Sequence, residues 1–150
     1  MTLEAKKEGT IANFTKNPIA TVSDPMGFNK KILEARTGHF HDAARSGESF
    51  VFYDRGIPDV IAYMDYFKQE YGDEFVVPCQ QLRYDIVLLL PMWEGIYVSD
   101  NERFESYEDA LSIHHHLWEA YLRLGYEVIE VPKDSVRNRI RFILETIKQL

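Results

Sequence analysis

The 150-residue chain has a single cysteine, Cys79. One thiol excludes an internal disulfide framework and any zinc cluster built on cysteines, and it suits a reducing, cytoplasmic setting. Glycine is sparse, with 8 in all, and no Gly-Lys-Ser or Gly-Lys-Thr triplet occurs. The chain therefore shows no phosphate-binding cradle of the usual glycine-rich kind. Positive charge is short too: 17 Lys and Arg against 24 Asp and Glu give a formal net charge of -7. Polyanions attract basic faces, so this balance argues against a nucleic-acid partner and against an anionic membrane. Long apolar runs are also lacking. The longest, "IVLLLPMW" at 86–93, is far too short to cross a bilayer. The opening "MTLEAKKEG" has no apolar core of signal-peptide length. Repeats and low-complexity segments are missing as well.

What remains is an ordinary globular composition, 45% hydrophobic and 27% charged, at a length that suits one domain over 1–150. Short apolar runs alternate with longer helical stretches. "FVFYD" (50–54), "YDIVLLLP" (84–91) and "YEVIEVP" (126–132) read as strands. The second is aliphatic throughout, as a strand covered on both faces would be.

Between them the spacing predicts helices. One covers 25–45, entered through Asp24 as N-cap with Pro25 behind it. The next runs from Pro58 to about Tyr71, with Val60, Ile61, Met64 and Phe67 on one face. A third, 107–124, is capped by Ser106 and ended by Gly125. The last begins near Asp134 or Ser135, with Val136, Ile140, Ile143 and Ile147 on one stripe. Strands at 50–54, 84–90 and 126–131, separated by helices, predict a parallel α/β sheet.

Ligands of such sheets bind beyond the carboxyl ends of the strands. Asp54, Arg55 and Asp59 stand there: a carboxylate for hydrated Mg²⁺ and a guanidinium for phosphate oxygens. The same residues also suit a structural role, with Asp54 capping the turn and Arg55 paired to Asp59. "YVSDNERFES" (97–106) reads either as a lid that brings Arg103 to a phosphate or as a charged loop before a capped helix. His114, His115 and His116 invite a metal reading. Successive helical residues point roughly 100° apart, so the three cannot converge on one ion. His115 with Glu119, or His39 with His41, supplies two ligands at most. Cys79 is expected in an interior, with nothing beside it to make it a nucleophile. Lys30, Lys31 and Arg36 form either a substitute phosphate grip or a solvated helix face.

"FVFYDRGIPDVIAYMDYF", "RYDIVLLLPMWEGIYVSDNERFESYEDALSIHHHLWEAYLRLGYEVIEVP" and "SVRNRIRFIL" together resemble the bacterial AAA-type ATPase domains of the P-loop NTPase superfamily. These are similar in layout to nucleotide and nucleoside kinases, and the resemblance covers about 25–147. It implies a three-layer sheet with helices on both faces and a nucleotide site using ATP and Mg²⁺. By that likeness 50–54 is the Walker B strand, Asp54 assists the metal, Arg55 lies near phosphate and Arg103 is a lid arginine. Asp59 borders the nucleotide, and Pro132, Lys133, Asp134 and Val136 lie against its base.

Family members begin with a strand and a Gly-x-x-x-x-Gly-Lys-Ser/Thr loop. The start of this chain resembles the family's next segment, the end of the helix after that loop and then a second strand. An N-terminally truncated domain is therefore expected, with nucleotide binding but little turnover. A non-catalytic interaction or structural module that keeps the fold is the alternative. The absent strand is central in the family. The expectation is therefore that "FVFYD" and "DIVLLL" pair directly, or that "TIANF" (10–14) or a second copy of the chain fills the slot. The last of these would give a homodimer.

Overall fold

The computed structural model describes residues 23–97 and 106–149. Five helices and two short strands follow in the order α1 (Pro25–Ser46), α2 (Asp59–Tyr66), α3 (Asp73–Gln81), β1 (Val87–Leu89), α4 (Tyr107–Arg123), β2 (Val128–Glu130) and α5 (Val136–Ile147). A 3₁₀ turn, Glu94–Ile96, follows β1.

The helix ends obey the signals in the sequence. Asp24 accepts a bond from the Gly27 N–H at 2.9 Å to open α1, and Gly47, at a φ of 73°, closes it in the left-handed region. Ser106 caps α4, and Gly125, at a φ of 76°, comes after its end. Ser135 caps α5 by accepting from the Asn138 N–H at 3.3 Å.

The predicted helix from Pro58 to Tyr71 is shorter than its periodicity suggests. It stops when Lys68 turns to a φ of 53°, and Gln69 N–H then bonds back to the Met64 carbonyl. A further helix, α3, comes next, with Asp73 and Glu74 in its first turn and Pro78 inside it. Its short Val-Val-Pro sequence carries no helical stripe, so periodicity does not announce it.

β1 and β2 pair in parallel, Val87 against Val128 and Leu89 against Glu130, with α4 as the crossover. Two of the three expected strands are thus present and have the expected direction. Residues 50–54 differ: among the described residues they form no strand and make no ladder bond to β1. Phe50 and Phe52 are 56% and 65% exposed. A strand exists through its partner, and the segment has none among the described residues. "TIANF" (10–14) and Arg103 lie outside the described residues.

The core centres on Ile57, Ile61, Met64, Phe75 and Cys79, with Leu117 and Ala120 of α4 against them. Val87, Tyr121 and Tyr126 form a smaller cluster under the sheet. α2 packs chiefly on α4. Among the described residues no helix is long and apolar enough to cross a membrane.

Asp109 couples the start of α4 to α2. It accepts from the Ser106 N–H at 3.2 Å and from the Tyr66 hydroxyl at 3.1 Å, while the Ser106 hydroxyl oxygen accepts from the Asp109 N–H at 3.0 Å. Bonds from Ser106 hold the Asp109 carboxyl below its ordinary value of 3.8. A carboxyl depressed by folding contributes stability above its unfolded pKa and loses it as pH falls through the folded one. The expected result is that Asp109→Asn melts lower than the parent near neutral pH, and that the two melting temperatures converge below about pH 4. Thermal melts across that range check it; a constant gap would dismiss the carboxylate as the cause.

Candidate functional site

The turn from Asp54 to Asp59 organises the candidate site. Asp59 opens α2, where its carboxylate suits the positive end of the helix. It is 4% exposed. Such a buried group needs partners. Tyr121 of α4 donates its hydroxyl to Asp59 Oδ1 at 2.6 Å, and the Gly56 N–H approaches the same oxygen at 3.4 Å. Arg55 lies 3.5 Å from Oδ2. Burial, then the Asp59 charge, pushes the Tyr121 phenol far up, so it remains a donor.

Gly56 is held from three sides. Its carbonyl accepts from Arg36 of α1 at 2.8 Å and from the Asp59 N–H at 3.2 Å. A Cβ at this position would collide with the Tyr121 hydroxyl and crowd the Tyr84 ring. Only glycine permits that approach. The next N–H, of Ile57, donates to Tyr84 Oη at 3.0 Å. Burial pushes the Tyr84 phenol to about 12 although this bond opposes the shift. Arg55 holds its place at a φ of 85°, a conformation that costs a side-chain-bearing residue on the order of 1 kcal/mol. Its guanidinium lies 5.6 Å from the Tyr63 ring centre.

A cleft of about 920 Å³ opens beside this turn. The segment 48–56 forms one wall, β1 and its continuation to Trp93 another, and α4 and α5 contribute His114, Tyr121, Arg139 and Ile147. Asp54, Arg55 and Asp59 all line it. Asp54 is exposed, whereas Asp59 is committed to Tyr121 and Arg55. The sequence grouped these three residues, and the structure brings them to one surface.

The other group does not join them. Pro132, Lys133, Asp134 and Val136 are exposed and lie outside the cleft lining. Asp134 accepts from the Ser135 N–H at 2.6 Å and from Asn138 Nδ2 at 3.0 Å, so it supports the start of α5. The histidines diverge as helical geometry requires. His114 faces the cleft, and burial lowers its pKa. His115 pairs with Glu119 at 3.2 Å, and His116 Nδ1 lies 2.8 Å from the Ser112 carbonyl. Cys79 Sγ donates to the Phe75 carbonyl at 3.2 Å, and burial raises its thiol to about 11. It is inert. Arg36, read from the sequence as a phosphate grip or a solvated face, instead grips a backbone carbonyl.

Sequence reading missed Tyr84, Tyr121 and Arg139. The tyrosines look like core aromatics, and Arg139 is one of three arginines in "VRNRIR" with nothing local to single it out. Only the long-range fold selects them.

Among the described residues no group of three His, Cys, Asp or Glu side chains could hold a metal. Mg²⁺ does not need such a cage: it takes one or two carboxylates, keeps its water and draws the remaining ligands from phosphates. An exposed Asp54 on the cleft wall fits that donor set.

Comparison with curated proteins and with solved structures finds no match. The family model described as an AAA domain matches residues 5–139, a span that includes the Gly56–Asp59 turn, both strands and most of the cleft wall. The chain therefore belongs to the AAA domain family, with a P-loop NTPase-like fold.

Proposed function

We propose that the cleft beside the Asp54–Asp59 turn is a nucleotide site that binds ATP with Mg²⁺ and turns it over little or not at all in this chain. One observation carries the reading: in an AAA-family chain, the exposed Asp54 carboxylate and the half-exposed Arg55 guanidinium share the wall of a cleft that runs along a parallel strand. The cleft volume is that of small-molecule sites, roughly 300–1,000 Å³. Asp54 would hold Mg²⁺ through water, and the ion would supply charge neutralisation on the phosphates. Arg55 presents its guanidinium to phosphate oxygens, while Asp59 and Tyr121 fix the turn that carries it. Arg103 joins the proposal as a lid residue, and Pro132, Lys133, Asp134 and Val136 as an outer contact for the base. A three-layer arrangement with helices on both sheet faces belongs to the same proposal.

Little turnover is expected because donors are missing. Phosphoryl transfer depends on positioned N–H groups and a lysine around the moving phosphate, and no Gly-Lys-Ser/Thr triplet supplies them here. The expected result is Mg²⁺-dependent ATP binding by calorimetry that weakens about tenfold or more in Asp54→Ala, with phosphate release no faster than a buffer blank. Magnesium-independent binding would overturn the site. Turnover that vanishes in Asp54→Ala would overturn the claim about catalysis.

The exposed run Phe50, Val51 and Phe52 favours a second reading, an interaction module without nucleotide. A chain that binds no ATP at any magnesium concentration would select it.

A further inference from the structure

Among the described residues three arginines line the cleft: Arg55, Arg83 and Arg139. Two have acceptors. Arg55 has Asp59, and Arg83 donates to the Leu124 carbonyl at 2.8 Å while lying 4.0 Å from the Tyr126 ring centre. Arg139 differs. Its Nε–H is buried and bonded to nothing, and among the described residues no carboxylate forms an ion pair with it. A buried guanidinium N–H without an acceptor is costly, and native proteins keep few such groups. Among the described residues nothing accepts from it, and the side chain lines the cleft.

Position supplies the second observation. Arg139 sits in the first turn of α5, directly after β2. It therefore lies just beyond the carboxyl end of a parallel strand, where ligands of open α/β sheets bind. Pro91, Met92 and Trp93, beyond the end of β1, line the same cleft. The planar guanidinium matches a phosphate group, donating through its terminal nitrogens, while Nε itself is closed to solvent.

We propose that Arg139 is an anion contact of this cleft, holding a phosphate group of the bound ligand from the α5 side. This deepens the nucleotide reading and rests on it for the identity of the anion. Arg55 meets the ligand from the 48–56 wall and Arg139 from α5, so the cleft suits a ligand with more than one phosphate, or with a phosphate at each end. The carboxylates of Glu48, Asp54, Asp59 and Asp85 also line it. A polyanion therefore enters with a cation such as Mg²⁺ rather than alone.

The test uses the whole chain with three probes: Mg²⁺–ATP, Mg²⁺–pyrophosphate and adenosine. Binding is monitored by calorimetry and by the fluorescence of Trp93 in the cleft wall. Arg139→Met is expected to weaken both phosphate probes at least tenfold and to leave adenosine unchanged. Arg139→Lys, which keeps the charge without the fork, should recover part of the loss. Arg137→Ala, on an exposed residue of α5 outside the lining, should behave as the parent.

Stability separates this role from a structural one. Removing an unsatisfied buried N–H should leave the ligand-free melting temperature of Arg139→Met equal to the parent's or higher, and abolish its rise with Mg²⁺–pyrophosphate. A lower ligand-free melting temperature with unchanged phosphate affinity would overturn the proposal, as would a parent chain that binds neither phosphate probe. Pyrophosphate binding that depends on Arg139 without any ATP binding would keep the anion contact and remove the nucleotide reading.

Discussion

Asp59→Ala is expected to destabilise the chain by about 3 kcal/mol, a large share of the ~5–15 kcal/mol that holds a domain together. The substitution strips the buried Tyr121 hydroxyl, on α4, of the acceptor that now lies 2.6 Å away. A buried donor left without a partner costs about 1–3 kcal/mol. Arg55 loses its ion pair as well, but its side chain is 47% exposed. Water rehydrates it, so the larger cost of a stranded buried charge does not apply in full. The Gly56 turn also loses the carboxylate that its N–H faces.

Tyr121→Phe should cost about 2 kcal/mol, because a charge-assisted bond is lost while the ring remains. The double variant should cost less than the two together, by about 1 kcal/mol, since both remove the same bond. Urea denaturation of the four proteins measures this cycle. Additive losses would show that the two groups act separately. A loss under about 0.5 kcal/mol for Asp59→Ala would mark the carboxylate as a ligand group with no part in the fold.

That tie between Asp59 and Tyr121 shows what the sequence could and could not reveal. Several helix ends were readable because their signals are local: Asp24 before Pro25, Ser106 before Tyr107 and Gly125 after Leu124. The direction of β1 and β2 was readable because a helix of 17 residues lies between them. Asp54, Arg55 and Asp59 were readable as a group because they stand close together in the chain.

Tyr121 is 62 residues from Asp59 in sequence, and no spacing rule joins them. The end of α2 was hidden for a related reason. Apolar periodicity continues to Phe67, but a bond from Gln69 N–H to the Met64 carbonyl and a left-handed Lys68 close the helix there. In the segment 50–54, β-rich composition expresses a preference that only a partner strand can satisfy.

The same segment gives the last expected result, a contrast between two phenylalanines. Phe75→Ala should cost about 3–5 kcal/mol, as deletion of a core aromatic does. Its ring is fully buried, at 0% exposure, in the cluster that α2 and α4 share. Phe52→Ala should change stability by no more than about 0.5 kcal/mol, because a side chain 65% in water gives up little burial. Composition alone would treat the two as equals, and a strand at 50–54 with partners on both sides would put Phe52 against a sheet face.

The contrast therefore reports on the slot between this segment and β1. If "TIANF" or another strand occupied it in solution, Phe52→Ala would cost about 2 kcal/mol or more through lost packing. If a second copy of the chain occupied it, that cost would also grow with protein concentration, because dissociation would be linked to unfolding. Denaturation of both variants at two concentrations about tenfold apart separates these cases. A small, concentration-independent effect at Phe52 beside a large one at Phe75 leaves the cleft wall open to a ligand, as Asp54 and Arg55 require.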